Sequence, residues 1–427
     1  MSNRATIDDL VSLRRDLHRH PEPAWREFYT TARLVDELET RDLDALYVGP
    51  EILDADERMA VPDDAELDAW FERAREAGAR EDVLDRLTGG YTGAVAVVER
   101  GEGPTVGLRV DIDALPITES EDGDHLPAAE GFRSENEGFM HACGHDAHAT
   151  IGIGVLDAVL DSDFEGTFKV FFQPSEEQVA GGKAVAEGGH LDDVDYLLAV
   201  HVGLDHPTGE VVCGVGGFLA VSHFRAEFTG APAHAGAKPE EGKNANLAAA
   251  TATQNLYGIS RHSDGPTRVN VGLMGGGTAT NIVAEEAFIE GEVRGATTEL
   301  MEYMEDRAHT VIESAAAMND CEVEIGVEGK APSARSDDAL AAIVGGVSEG
   351  VEGVTSILES DDLGGSEDAT YLMQYVQDRG GLAAYVGVGT DHPGGHHTRT
   401  FDVDEATIGI AVDVLAGSVK RIAADRP

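Results

Sequence analysis

Three short apolar segments of the chain are followed within a few residues by acidic or histidine side chains. The segments are residues 107–110, 167–172 and 196–200. Continuous apolar runs of this length predict buried strands of a parallel sheet. Because open parallel sheets place their functional sites at the carboxyl ends of the strands, we expect the side chains beyond these segments to lie at one edge. Those side chains are Asp111, Asp113, Glu176, Glu177 and His201.

The pattern of the chain changes twice along its length. Helices and apolar strands alternate up to residue 217, and this pattern returns after residue 331. Residues 218–331 combine alternating strands with two helical stretches, which is typical of a compact α+β unit. The 427 residues also exceed the usual size of one hydrophobic core. We therefore predict an α/β fold: a discontinuous domain (1–217 and 332–427) with a mixed, mostly parallel sheet flanked by helices, and an inserted α+β domain (218–331).

Cys143 and His145 stand two residues apart, just ahead of an apolar helical stretch. A thiolate and an imidazole turned toward one point form a ligand pair that transition metals bind. The alternative is a buried cysteine near a helix start that Asp146 caps, and the pair alone does not decide between the two. The acids and the histidine at the ends of the strands favour the metal site.

Glu176 and Glu177 extend this interpretation toward catalysis. Adjacent carboxylates point in different directions, so one can bind a metal while its neighbour serves as a base.

Two other patterns are interpreted as structural or coincidental. His18 and His20, beside a helix-ending proline, are predicted to be structural. Ser348 matches the G-x-S-x-G pattern of serine hydrolases, but it ends a helical pattern with no strand before it.

The charge of the chain disfavours some classes of partner. There are 80 acidic and 31 basic residues, a net charge of −49, so neither nucleic acid nor an anionic membrane surface is an expected partner. The acids are spread along the whole length and 42% of the residues are hydrophobic, which argues against disorder. A surface adapted to very high salt, where repulsion between carboxylates is screened, fits this composition, and we expect a halophilic cytoplasm.

Cysteine usage and the lack of long apolar runs favour a cytoplasmic protein. Cys143, Cys213 and Cys321 are too few and too scattered for a disulfide framework. No cationic apolar leader opens the chain and no apolar run is long enough to cross a bilayer. We expect a cytoplasmic protein whose partner is a small-molecule substrate.

Six motifs in order along the chain resemble the M20 family of metallopeptidases and amidohydrolases, in the branch that has a cysteine ligand. The resemblance covers nearly the whole chain and implies a zinc-peptidase-like catalytic domain with an inserted lid and dimerisation domain. The motifs are Cys143-Gly144-His145-Asp146, Gln173-Pro174-Ser175-Glu176-Glu177, His201, Ala233-His234-Ala235-Gly236, Gly365-Ser366-Glu367-Asp368 and His396-His397.

The resemblance implies a role for each site residue. Two divalent ions, Mn or Zn, are expected, with Glu176 as general base and Asp111 and Asp113 as orienting residues behind the ligands. His397 is preferred to His396 because the family places the ligand one residue before a small polar residue, here Thr398. The implied ligands are Cys143, His145, Glu177, His201 and His397. The implied substrate-facing residues of the inserted domain are His234, Asn281 and Arg294.

The expected reaction is hydrolysis of the amide bond of an N-acyl or N-aroyl amino acid. Resemblance in residues 49–93 and 233–240 favours p-aminobenzoyl-glutamate, which would yield p-aminobenzoate and glutamate. In this family the histidine corresponding to His234 often comes from the partner subunit, which implies a homodimer or a heterodimer with a related chain. The alternatives are an aminoacylase, an indole-acetyl-amino-acid hydrolase or a small-peptide hydrolase of the family. From another class, a non-catalytic metal-binding subunit of a complex remains open.

Overall fold

The computed structural model describes residues 5–427, which form two compact units. The larger unit comprises the chain up to Gly217 together with Ala334–Leu363 and Asp368–Pro427. The smaller unit comprises Phe218–Ser333 and the short segment Gly364–Glu367. The prediction had assigned this short segment to the discontinuous domain. No helix in residues 5–427 is both long and apolar enough to cross a membrane.

The elements of the chain alternate between strands and helices. In chain order the strands are β1 (Ala45–Val48), β2 (Ala94–Arg100), β3 (Thr105–Asp111), β4 (Gly166–Gln173), β5 (Tyr196–Val202), β6 (Glu210–Val212), β7 (Val215–Gly216), β8 (Ala220–Thr229), β9 (Thr267–Gly276), β10 (Glu286–Gly295), β11 (Glu322–Ala331), β12 (Ser356–Leu358), β13 (Asp361–Asp362) and β14 (Leu382–Val388). The α-helices are α1 (Ile7–Arg19), α2 (Phe28–Leu38), α3 (Asp64–Glu76), α4 (Glu81–Leu84), α5 (Leu126–Glu130), α6 (His145–Leu160), α7 (Gly182–Ala186), α8 (Ala245–Leu256), α9 (Thr298–Met318), α10 (Asp338–Ser348), α11 (Ala369–Asp378) and α12 (Ala406–Asp425).

The larger unit is built on an eight-stranded sheet in the order β1-β2-β4-β3-β5-β14-β6-β12. Its central strands β4, β3, β5 and β14 are mutually parallel, whereas β1 and β2 pair antiparallel at one side and β6 pairs antiparallel with β14. Almost every residue of β3, β4 and β5 is buried, as expected for strands covered by helices on both faces. The predicted mixed, mostly parallel α/β sheet is confirmed.

Helix α6 lies close to the sheet because two glycines interrupt its apolar surface. A Cβ atom at Gly152 would lie 2.9 Å from the Phe172 ring, and one at Gly154 would lie 2.5 Å from Val412 of α12. Gly144 caps the N-terminus of the helix at φ +90°, a backbone conformation that suits glycine. This close packing places the first turn of α6 at the carboxyl edge of the sheet.

The smaller unit has a four-stranded antiparallel sheet in the order β11-β8-β10-β9. Helices α8 and α9 cover one face of this sheet and form its core with small and aliphatic side chains. The strands alternate between residues that face the helices and residues that face outward, the pattern of a sheet with one covered face.

Candidate metal centre

The parallel strands bring acidic and imidazole groups to one edge of the larger sheet. β3 ends at Asp111 and β4 ends at Gln173, and these two residues are direct partners in the parallel register. His201 lies inside β5, one residue before its end, rather than directly after the strand as predicted. α6 begins at His145. Residues far apart in sequence are thus delivered to the same edge.

Six side chains of the larger unit form a group that we call the donor cluster. The ligand atoms of Cys143, His145 and His201 all lie within 4.8 Å of one another. The same limit holds for two further sets, Cys143 with Glu177 and His397, and His145 with Glu176 and Glu177. Atoms that share one ion at about 2.0–2.3 Å lie within roughly 4 Å of each other, so small side-chain adjustments suffice to bind metal.

Two imidazoles present one nitrogen to the donor cluster because the other nitrogen is already bonded. Nδ1 of His201 donates to the Val202 carbonyl oxygen at 2.7 Å, and its Nε2 lies 3.4 Å from the sulfur of Cys143. Nδ1 of His145 donates to Asp113 at 3.3 Å. Its buried Nε2 has no hydrogen-bond partner within residues 5–427. A histidine that binds metal characteristically donates its second nitrogen in this way.

The neighbouring histidines at 396 and 397 differ in the groups that their ring nitrogens contact. Nε2 of His396 accepts the backbone N–H of Leu204 at 3.0 Å, so the neutral ring carries its hydrogen on Nδ1, which lies 3.6 Å from the Cys143 sulfur. Nε2 of His397 lies 3.5 Å from a carboxylate oxygen of Glu177. His396 therefore donates to the Cys143 sulfur, whereas Nε2 of His397 faces the carboxylate of Glu177.

Asp111 and Asp113 lie beside the donor cluster and accept hydrogen bonds from it or from its neighbours. Asp113 accepts the backbone N–H groups of Glu176 and Glu177 at 3.1 and 3.0 Å, in addition to Nδ1 of His145. Asp111 accepts Nδ1 of His148 at 2.5 Å. Asp113 therefore bonds the His145 ring and the backbone of both glutamates that follow β4.

The electrostatics of the cluster fit a bound cation. Burial and the charge of Glu177 raise the pKa of Cys143 well above its usual value, so a thiolate there requires a positive charge beside it. Burial opposes protonation of His145, but Asp111 and Asp113 outweigh it and raise the pKa of this ring. Carboxylates, imidazoles and a thiol packed together, with one buried imidazole nitrogen unpartnered, suit a divalent transition metal.

The predicted substrate-facing residues lie in the smaller unit, where His234 and Asn281 are neighbours. An antiparallel bridge joins His234 to Ile282, and the backbone N–H of Ala235 donates to the Asn281 carbonyl oxygen at 2.9 Å. Nδ1 of His234 accepts the backbone N–H of Gly236 at 3.1 Å. The neutral ring therefore carries its hydrogen on Nε2, which makes that atom a donor.

Arg294 lies on β10, and its guanidinium is already paired with a carboxylate of the same unit. Nε and Nη2 donate to the two oxygens of Glu292 at 3.0 and 2.9 Å, and Nη1 donates to the Ser366 hydroxyl at 3.1 Å. A hydrogen bond from His223 and the pairing with Arg294 lower the pKa of Glu292 to about 2. The fork that was expected to bind a substrate carboxylate thus holds an internal one.

Two patterns that had been set aside are structural, as predicted. His18 is buried between Asp146 and Glu119, with one carboxylate oxygen 2.9 Å from each ring nitrogen. Although burial opposes protonation, these acids raise the pKa of His18 to about 9. Ser348 lies in α10 and its hydroxyl donates to the Val344 carbonyl oxygen one turn earlier, so it is not positioned as a nucleophile.

The sequence analysis missed several buried residues that support the cluster. His148 follows His145 by three positions on α6, a spacing that puts both on one face and could have revealed it. Its Nε2 accepts the backbone N–H of Val202 at 2.8 Å. The side chain of Arg109 donates to Asp111 at 2.7 Å. Gln173 and Asp368, which stand in two of the six motifs, complete this buried network, but no sequence spacing indicates that they meet.

Known proteins resemble this chain over nearly its full length. Indole-3-acetyl-aspartic acid hydrolase of Enterobacter agglomerans is 43% identical over 97% of this chain and 95% of that protein. A p-aminobenzoyl-glutamate hydrolase subunit of Escherichia coli K12 is 43% identical over 94% of this chain and 93% of that protein. The crystal structure of an aminobenzoyl-glutamate utilization protein from Klebsiella pneumoniae superposes with a TM-score of 0.83 at 36% identity, covering 97% of this chain and 95% of that one.

The fold and the donor cluster define a metallohydrolase in which a separate α+β unit is inserted into the catalytic one. The model of peptidase family M20/M25/M40 matches residues 107–421. The chain belongs to this family and is a metal-dependent amidohydrolase. The resemblance that the six motifs indicated is confirmed.

Proposed function

We propose that the chain hydrolyses the amide bond of p-aminobenzoyl-glutamate, releasing p-aminobenzoate and glutamate. The observation that carries this proposal is the donor cluster with its adjacent Glu176 and Glu177, in a chain 43% identical over 94% of its length to a protein named for this substrate. A substrate of this kind is small and carries carboxylates that a basic side chain can recognise.

The proposed metal ligands are the five that the motifs implied. The nitrogen positions support this assignment, since the second nitrogen of His145 and of His201 is bonded elsewhere. His397 is proposed as the ligand in preference to His396, because the lone pair of His396 Nε2 already accepts the backbone N–H of Leu204, which leaves the hydrogen on Nδ1 toward the Cys143 sulfur. The proposed set is Cys143, His145, Glu177, His201 and His397.

Two divalent ions, manganese or zinc, would polarise the scissile carbonyl and lower the pKa of a bound water. Glu176 then acts as general base: its carboxylate takes the proton of the attacking water and returns it to the departing amine nitrogen. Asp113 holds the backbone of Glu176 at 3.1 Å, which keeps this carboxylate in place during both transfers. Nε2 of His234 donates a hydrogen bond to the carbonyl oxygen as negative charge develops there.

Arg294 is the proposed anchor for the substrate carboxylate, because a planar guanidinium can hold a carboxylate at two points. Asn281 is the proposed second contact. Glu292 occupies the fork of Arg294 in the described conformation, so a substrate carboxylate must displace or share it. Because Glu292 competes with the substrate for Arg294, a substrate carboxylate that also contacts other residues binds best.

A partner chain is part of the proposal. The Escherichia coli relative is named as a subunit, which supports assembly with a copy of the same chain or with a related chain. In such an assembly the partner would supply the His234 that acts on each substrate.

Indole-3-acetyl-aspartate is the second candidate substrate, because the Enterobacter agglomerans relative named for it is equally similar at 43% identity. It keeps the same amide chemistry and differs in the acyl group and in the length of the amino-acid side chain. A non-catalytic metal-binding role is disfavoured, because Glu176 stands beside Glu177 within the donor cluster.

The test is hydrolysis of a panel of conjugates by protein stripped of metal and then supplied with Mn²⁺ or Zn²⁺ in concentrated KCl. We expect p-aminobenzoyl-glutamate to give the highest kcat/KM, with indole-3-acetyl-aspartate next and simple acetyl amino acids below both. A panel in which dipeptides or acetyl amino acids are preferred would contradict the substrate proposal. If the protein hydrolyses no conjugate with either metal, the proposed catalytic function is contradicted.

We further propose that the surface is adapted to high salt and that the protein works in a reducing cytoplasm. The net charge of −49 supports the first point, since repulsion between so many carboxylates is weakened when salt shortens the Debye length. The second is supported by Cys143, Cys213 and Cys321, none of which forms a disulfide.

A further inference from the structure

The loop that carries the general base has an unfavourable backbone conformation directly before Glu176. We call residues 173–177, which follow β4, the base loop. Ser175 is fully buried and has φ +63°, a left-handed conformation that a serine adopts only when its surroundings hold it there. The direction in which the Glu176 side chain leaves the backbone depends on this conformation. Whatever holds Ser175 therefore also aims the base.

A buried glutamate from the N-terminal segment holds Ser175. The backbone N–H of Ser175 donates to one carboxyl oxygen of Glu27 at 2.8 Å, and the Thr92 hydroxyl donates to the other at 2.7 Å. Glu27 and Thr92 are both fully buried. The Ser175 hydroxyl in turn accepts the backbone N–H of Trp25 at 2.8 Å. The base loop is thus bonded to the segment around Glu27 through both its backbone and its side chain.

Residues 49–93 support this contact. They supply Thr92, and the carbonyl oxygen of Met59 accepts the indole N–H of Trp25 at 2.7 Å. The guanidinium of Arg58 lies over the Trp25 ring at 4.5 Å. The segment therefore holds the Glu27 carboxyl, which bonds the base loop, and the side chain of Trp25, whose backbone N–H bonds the Ser175 hydroxyl.

We propose that Glu27 is a positioning residue for the general base: it holds the Ser175 amide and thereby sets the direction of the Glu176 carboxylate. The inference rests on the proposed function, in which Glu176 is that base. It gives residues 49–93 a role as the support of Glu27 and Trp25. A displacement of about 1 Å at a reacting group can cost on the order of 100-fold in rate, so a loosened base loop has a measurable effect.

A second buried glutamate five residues earlier provides a matched control. The carboxyl of Glu22 accepts the backbone N–H groups of Tyr29 and Thr30, each at 2.8 Å, at the start of α2. Like Glu27, it is buried and takes part in two hydrogen bonds, but its carboxyl does not contact the base loop. Burial raises the pKa of both carboxyls to about 8. Replacing either glutamate with methionine removes two hydrogen bonds at similar volume.

The experiment compares Glu27→Met, Glu27→Gln and Glu22→Met in the full-length protein with metal restored. We expect Glu27→Met to lower kcat by about 10- to 100-fold, with KM and metal content within about twofold of wild type. Glu27→Gln should restore most of kcat, because glutamine can accept from Ser175 and donate to Thr92. Glu22→Met should lose a similar amount of thermal stability while its kcat stays within about twofold of wild type.

Hydrogen–deuterium exchange gives a readout that does not need activity. Peptides covering the base loop should exchange faster in Glu27→Met and at the wild-type rate in Glu22→Met. Wild-type protein that hydrolyses no conjugate would refute the proposed function, whereas the exchange rates still decide whether Glu27 holds the loop. Equal kcat losses in the two methionine variants, or unchanged exchange in Glu27→Met, would overturn the inference. If Glu27→Met does not fold, Thr92→Val is measured instead: a kcat loss of about threefold or more supports the proposal, and none overturns it.

Discussion

Asp113 gives a sharp test of the proposed metal site because one carboxylate supports three groups of the donor cluster. One oxygen accepts Nδ1 of His145 at 3.3 Å and the N–H of Glu176 at 3.1 Å. The other oxygen accepts the N–H of Glu177 at 3.0 Å. Asp113→Asn keeps the size of the side chain, but its amide nitrogen must face at least one of these N–H donors.

The smallest disturbance follows if the amide nitrogen of the asparagine points at Glu177, since only one hydrogen bond is then lost. A hydrogen bond to a charged group contributes about 1.5–3 kcal/mol. Loss of a group that orients a metal ligand typically weakens binding by about 10- to 100-fold, which corresponds to about 1.4–2.7 kcal/mol. The two estimates agree, so we expect the metal Kd of Asp113→Asn to rise by about 10- to 100-fold.

The assay is competition for Mn²⁺ or Zn²⁺ against a chromogenic chelator at constant salt. Asp163→Asn is the control, because it removes the same charge from an exposed loop position outside the cluster. If the Kd values of the two variants agree within a factor of two, Asp113 does not orient the ligands and the site is misassigned.

Three further predictions follow from the same geometry and charge. Glu176→Ala should retain metal, measured by atomic spectroscopy, while kcat falls by about two to four powers of ten, as expected on loss of a general base; undiminished turnover would exclude that role. Cys143→Ala should lower the bound metal per chain, and an unchanged content would remove the thiolate from the ligand set. The melting temperature should rise from dilute buffer to concentrated KCl, because the Debye length falls from about 10 Å at 0.1 M to about 3 Å at 1 M; equal melting temperatures would contradict adaptation to salt.

The main strands of the sheet could be predicted because strands that are buried on both faces consist mostly of apolar residues. β3, β4 and β5 are buried on both faces and read as nearly continuous apolar runs, interrupted by Arg109 in β3 and Lys169 in β4. β11 carries a different signal: its acidic and apolar residues alternate and few of them are buried, which is typical of a strand with one exposed face. β6, β12 and β13 contain two or three residues, too few to show any period.

The chemistry of the site was also accessible from motifs, although the supporting network was not. Cys143, Glu177 and the other donors stand in short patterns that specify residue types in order. Arg109 and Asp368, by contrast, lie 259 positions apart and meet only because the chain returns to the same edge of the sheet. Contacts across such separations leave no local signal in a single sequence.

The amino-acid sequence by itself determined which candidate donors and how much negative charge this protein carries, because these follow from residue identity. Only the tertiary structure decided which imidazole nitrogens face the cluster and which acid bonds the backbone of the base loop. That decision depends on the backbone groups of Val202, Leu204 and Ser175, whose hydrogen bonds are available only once distant segments have packed together.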